Sequence, residues 1–300
     1  MSENTVIPRR IVVGIDPSEN AARAAFWAAR EAAEASLPLH LVHALELPSA
    51  SGTAFEPPGY AKGRLADGEK LLNRVAATIR SEYPAVAVTT EISELGPAET
   101  LVALSRNAHL VVSGTRGHGG FAGMLLGSVS QRLAAHADCP VVIVRGENGS
   151  AAVNEILLGV GPDQAESTIR FAFATAAQVG AKLHAVRTWV PYSGYAVSAG
   201  YPLYARDTYV AEDIEETSSA QEAQLDAALA FVRAQYPSVE VSTSTLRGNA
   251  VPVLCEAGRG SRLIVVGSHR HRGPLAVGAG YVVNGLLQHS SAPVAVVPIA

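Results

Sequence analysis

Several residue patterns that announce common protein classes are missing from this chain. Cysteine occurs only twice in 300 residues, as Cys139 and Cys255. Their separation matches no metal site and two thiols make no disulfide framework, so buried free thiols are expected. No apolar run approaches the ~20 residues of a membrane-spanning helix, so no spanning helix and no membrane partner are expected. The opening MSENTVIPRR has no apolar stretch following a basic segment, so no secretory signal is expected and the cytoplasm is the expected location. Basic excess is lacking too: a formal charge of −4 and a pI near 6.1 argue against a nucleic-acid partner. The nine histidines show neither the i, i+4 spacing of a helical zinc pair nor a neighbouring cysteine pair, so no dedicated metal cluster is expected.

What is present alternates. Ile11–Ile15 (IVVGI) is a short continuous apolar run, as expected for a parallel strand buried on both faces. Pro17 and Ser18 supply helix-start chemistry before the alanine-rich stretch Glu19–Ser36. A second strand follows at Leu39–Leu45, then a loop at Glu46–Arg64 holding Pro48, Gly52, Pro57, Pro58 and Gly59. Leu71, Leu72, Val75 and Ile79 recur at helical spacing. Further strands are expected at Val86–Ile92, Leu110–Ser113 and Pro140–Val144, with helices from Gly96-Pro97 to Asn107 and from Ser128 to Ala137. Alternation of this kind means an α/β fold with a doubly wound parallel sheet.

The pattern then repeats. Ile156–Val160 matches Ile11–Ile15, Leu183–Val186 matches Leu39–Val42, and Gln235-Tyr236-Pro237 matches Glu82-Tyr83-Pro84. Leu263–Ser268 matches Leu110–Thr115, and Ala292–Val297 matches Cys139–Val144. The chain therefore reads as a tandem duplication with domains at 1–147 and 153–300, joined by the linker-like stretch RGENGSAAV from Arg145 to Val153. The tyrosine-rich stretch Pro191–Tyr209, with Tyr192, Tyr195, Tyr201, Tyr204 and Tyr209, reads either as an interaction surface or as a lid on its own domain.

The stretch LVVSGTRGHGGFAGMLLGSV, Leu110–Val129, is a strand feeding a glycine-rich loop and then a helix start, which is anion-binding geometry. Gly114 and Gly117 allow positive φ and let backbone N–H groups close on a ligand, the alternative for them being a turn that needs positive φ. No Gly-Lys-Ser/Thr follows, as a Walker loop needs, and the spacing is not G-x-G-x-x-G. Arg116 and His118 in the same loop are candidates to neutralise phosphate charge.

The spacing Gly114, Gly117, Gly127 with Ser128 directly after it, set in a duplicated α/β pattern covering nearly all of the chain, resembles the ATP-binding signature of the universal stress protein family in its tandem form. That resemblance implies two Rossmann-like domains of five strands each in the order 3-2-1-4-5, similar to adenine nucleotide alpha hydrolases. Such an order places the ends of strands one and four together where open α/β sheets bind ligands. It further implies that Asp16 accepts hydrogen bonds from the ribose or base region, the alternative for that residue being a helix N-cap. The Ala44 backbone would meet the adenine edge, and Gly114 and Gly117 would approach ribose and phosphates. Gly127, Ser128 and the Val129 N–H would hold the phosphate tail, with Mg²⁺ beside Ser128.

Carried further, the resemblance implies ATP with Mg²⁺ as ligand and a stress-response role in which nucleotide occupancy biases contact with a regulatory protein partner the sequence does not name. Without a Walker lysine or a water-orienting Gln or Glu, at most slow ATP hydrolysis is expected. A nucleotide hydrolase, a receptor for AMP or cyclic AMP, and a ligand-independent scaffold are the alternatives. The apolar fifth strands at Val141–Val144 and Val294–Val297 need cover and are expected to pair within one chain, with homodimer formation left open. The second half departs from the signature: Gly161 stands where Asp16 does, Arg270 where Gly117 does, and Tyr281 where Ser128 does. Poor or no ATP binding is expected there.

Overall fold

Valine, isoleucine and leucine runs become the strands of the sheet in a computed structural model that describes residues 10–45, 60–117, 126–145, 153–162, 164–190, 203–269 and 279–299, with the side chains of 60 and 203–217 left aside. The first half contributes β1 (Arg10–Gly14), β2 (Leu39–Ala44), β3 (Val88–Ser93), β4 (Ala108–Gly114) and β5 (Val141–Val144). Between them lie α1 (Glu19–Ala35), α2 (Tyr60–Glu82), α3 (Pro97–Ser105) and α4 (Ser128–His136). The second half repeats this with β6 (Val153–Gly159), α5 (Glu166–Val179), β7 (Lys182–Trp189), α6 (Leu203–Arg233), β8 (Val241–Arg247), α7 (Ala250–Ala257), β9 (Ser261–His269), α8 (Tyr281–His289) and β10 (Val294–Ile299).

All ten strands join one sheet in the order β3-β2-β1-β4-β5-β10-β9-β6-β7-β8. Each half is thus a 3-2-1-4-5 unit. Pairing is parallel within each half. At the seam β5 and β10 run antiparallel, with Ile143 opposite Val294 and Val141 opposite Val296. Side chains alternate along a strand, and this alternation divides the core. Ile11 and Val13 of β1 belong to one buried cluster with Ala28, Leu72, Phe173 and Leu229 of α1, α2, α5 and α6. Val12 belongs to the other, with Leu101, Leu133, Leu254 and Leu286 of α3, α4, α7 and α8. Both clusters draw on both halves.

Polar contacts also cross the seam. Arg262 of β9 reaches Glu31 at 2.5 Å and pairs with Glu34, both on α1. Arg145 Nη1 donates to the Leu287 carbonyl at 2.9 Å.

Two expectations are corrected at helix starts. Helix α2 begins at Tyr60, so Arg64 lies a turn inside it rather than at the end of a loop; the glycines Gly63 and Gly68 obscure its period. Likewise, residues 203–209 open α6 and are not loop, while Pro191–Pro202 lies outside the described residues. Cys139 is buried as expected, but Cys255 is only half-buried. Among the described residues no helix is long and apolar enough to cross a membrane.

Candidate functional site

Because β1 and β4 are neighbours in the sheet, their carboxyl ends open on one crevice, with α1 leaving on one face and α4 returning on the other. Asp16 stands just past β1. Its Oδ1 accepts from the Ser18 N–H at 3.0 Å and the Ser18 hydroxyl at 2.5 Å. Ser18 in turn caps α1 by accepting from the Ala21 N–H at 3.2 Å. The N-cap is therefore Ser18, and Asp16 is the carboxylate that positions it.

The glycines are needed for closeness, not for turn conformation. Positive φ among the described glycines occurs only at Gly180, Gly248, Gly260 and Gly280, so Gly114 and Gly117 serve close approach and not a positive-φ turn. A Cβ on Gly117 would collide with Asp16 Oδ2. One on Gly114 would lie 2.8 Å from the Asn20 backbone carbonyl. The Gly127 N–H donates to the Thr115 carbonyl at 2.7 Å, and Ser130 Oγ donates to the Gly114 carbonyl at 2.8 Å. These two bonds fasten the start of α4 to the end of β4. Gly127, with φ −81°, is the N-cap of α4 and offers it no side-chain acceptor. The first-turn N–H groups of Ser128–Ser130 consequently face the crevice with the positive end of the helix dipole.

The result is a cleft of about 870 Å³ whose lining includes Asp16, Ala44, Gly114, Gly117, Gly127, Ser128 and Val129. All seven residues singled out in the sequence are brought together. Arg116 joins them, whereas His118 lies outside the described residues. The lining also includes His43 at the end of β2 and Arg64, Asp67, Gly68 and Leu71 on one face of α2. Arg64 was missed because the loop was read as running through it, and Asp67, Gly68 and Leu71 because the helix was read without a cleft face; their i, i+3, i+4, i+7 spacing is the signal that marks the face. His43 Nδ1 donates to the Ile15 carbonyl at 2.7 Å, so in the neutral ring Nε2 is an acceptor. Chemically, the cleft joins backbone donors and Arg116 to a carboxylate and to the apolar walls of Val42, Leu71 and Leu101. It suits a ligand that is anionic at one end and carries hydroxyl or amine donors elsewhere. No group of three or more His, Cys, Asp or Glu able to hold a metal occurs among the described residues.

In the second half the same place is built differently. The Gly161 N–H donates to Gln164 Oε1 at 3.1 Å. Arg187 of β7 is buried. Its Nη1 donates to the Gly161 carbonyl at 3.1 Å, its Nε to Gln221 Oε1 at 2.5 Å and its Nη2 to Gln224 Oε1 at 2.7 Å. Gly280, the α8 N-cap, has φ +89°, unlike Gly127, and Tyr281 is 79% exposed. Arg270 lies outside the described residues.

Comparison with known proteins agrees with the duplicated architecture. The model of the universal stress protein family matches residues 8–145 and again 153–298. A universal stress protein of Mycobacterium tuberculosis is 32% identical over 298 residues, covering 95% of each chain. One of Mycolicibacterium smegmatis is 31% identical over 298 residues, covering 96% of each. Among solved structures, a universal stress protein from Archaeoglobus fulgidus shares the fold with a TM-score of 0.66 at 17% identity, over 96% of both chains.

Proposed function

The chain belongs to the universal stress protein family as a tandem pair of its domains, and from that premise we propose that its first half binds ATP with Mg²⁺ in the switch-point cleft. The observation that carries this reading is the convergence of Asp16 and Gly117, held too close for any Cβ between them, on an α4 N-terminus that has no side-chain cap. Such a terminus attracts phosphate. Gly127, Ser128 and Val129 hold the phosphate tail, and the Ser128 hydroxyl is the protein ligand nearest to Mg²⁺. Asp16 accepts from the ribose, and the Ala44 backbone meets the adenine edge. Arg116, at the mouth of the cleft, neutralises phosphate charge.

The role is regulatory, carried out in the cytoplasm: nucleotide occupancy of the first half biases contact with a protein partner. The test has two parts. Mass analysis of nucleotide released on denaturing the purified protein identifies the ligand, with ATP expected. Titration calorimetry with ATP and Mg²⁺ should then show binding that Gly117→Glu abolishes, because the new carboxylate stands beside Asp16 where phosphate must pass. Unchanged affinity in that variant would place the ligand elsewhere.

A further inference from the structure

Resting on the first-half reading, we propose that three positions decide whether a half of this protein is open to a nucleotide, and that the second half is closed because its own arginine fills the place of a ligand. The two halves can be compared position by position. Leu72, Ala76 and Ile79 of α2 recur as buried Leu225, Leu229 and Val232 of α6, which sets the register of these helices. Gly68 and Leu71 therefore correspond to Gln221 and Gln224. Along the second strand, Leu39–Val42 matches Leu183–Val186, so His43 corresponds to Arg187.

Each residue ties to a carbonyl just past the first strand of its half, one position apart in the repeat. His43 Nδ1 donates to the carbonyl of Ile15, one residue past β1. Arg187 Nη1 donates to the carbonyl of Gly161, two residues past β6. From there the halves diverge. The imidazole stops against Gly68, whose absent Cβ would lie 2.7 Å from His43 Cδ2, and the cleft beyond it stays open. The longer guanidinium crosses to α6, where Gln221 and Gln224 accept from Nε and Nη2. Burying a cation is costly unless its donors are satisfied. Arg187, 5% exposed, places three of its five donors on protein oxygens from two segments, the turn after β6 and helix α6. Gln164 closes the other side by accepting from the Gly161 N–H, with its Nε2 near Gly267. Arg187, Gln221, Gln224 and the Gly161 backbone are thus engaged with one another, while Gln164 Nε2 and Thr168 Oγ1 beside Gly267 are buried without a hydrogen-bond partner among the described residues. Loss of nucleotide binding in the second half is then a consequence of self-occupancy, independent of Arg270 and Tyr281.

The experiment uses the full chain and compares wild type, Gly117→Glu and the triple variant His43→Arg, Gly68→Gln, Leu71→Gln by calorimetric titration with ATP and Mg²⁺ and by thermal melting. The proposal expects one site in wild type and none in Gly117→Glu. The triple variant, given the second half's arginine and its grip, should lose at least a hundredfold in affinity while melting no lower than wild type. Two sites in wild type, or one site surviving in Gly117→Glu, would put nucleotide in the second half and overturn the proposal. A folded triple variant that binds within threefold of wild type would overturn the role of the three positions. No binding by wild type would instead overturn the first-half reading itself, and with it the basis of this proposal.

Discussion

Gly114 and Gly117 separate two costs that a sequence cannot tell apart. An alanine at 117 meets only the end of the Asp16 carboxylate, which can swing away, so the fold should lose less than about 0.5 kcal/mol. The swing, however, breaks the hold of Ser18 on Asp16, and ATP affinity should fall about tenfold or more. An alanine at 114 meets the Asn20 backbone at 2.8 Å, which cannot yield without moving α1. Gly114→Ala should therefore destabilise the protein by about 1–3 kcal/mol, the usual cost of overpacking. Calorimetric melting beside ATP titration checks both, and equal loss of stability in the two variants would refute the distinction. The positions of these glycines were legible in the sequence. Their purpose was not, since glycine serves both positive φ and close approach and the letter alone does not say which.

Helix α2 shows the same limit at the level of an element. The inner strands were legible because buried parallel strands are continuous apolar runs, unlike the polar edge strands β3 and β8; the start of α2 was not, because Gly63 and Gly68 interrupt its pattern just where it meets the cleft. The two glycines nonetheless predict opposite results. A Cβ on Gly63 has nothing within 4 Å, so Gly63→Ala should add about 0.5–1 kcal/mol through helix propensity. A Cβ on Gly68 would stand 2.7 Å from His43 Cδ2 and 3.3 Å from Ile92 Cδ1. The His43 ring is pinned by its bond to the Ile15 carbonyl and gives little. Gly68→Ala should forfeit the propensity gain, lower the melting temperature and narrow the cleft. Denaturant unfolding of the pair checks this, and a stabilised Gly68→Ala would show that His43 is free to move.

At the scale of the whole molecule, the repeat made the topology legible, and the apolar character of both fifth strands marked where the halves needed cover. The Arg262 clamp was invisible, because nothing in the repeat announces it: the position matching Arg262 is His109, and a partner so distant in sequence leaves no local signal. Glu31 is buried beside Arg262, and burial raises its carboxyl above the ordinary 4.5 even though Arg262 pulls it down. Removing the arginine leaves a buried carboxylate without its closest cation, and loss of one partner of a buried pair costs about 3–5 kcal/mol. Arg262→Ala should therefore destabilise the chain by up to that amount near neutral pH. The pH dependence follows from the raised value. Folded Arg262→Ala holds the Glu31 proton to a higher pH than the unfolded chain does, so its deficit is smallest below about 4.5 and grows as pH rises through the folded-state value. Replacing both partners with apolar residues, Glu31→Leu with Arg262→Met, removes the stranded charge and should recover most of the lost stability. Melting curves across pH for the single and double variants test this. A deficit in Arg262→Ala that is flat with pH, or a double variant no better than the single, would mean that the clamp acts through packing and not through the charge on Glu31.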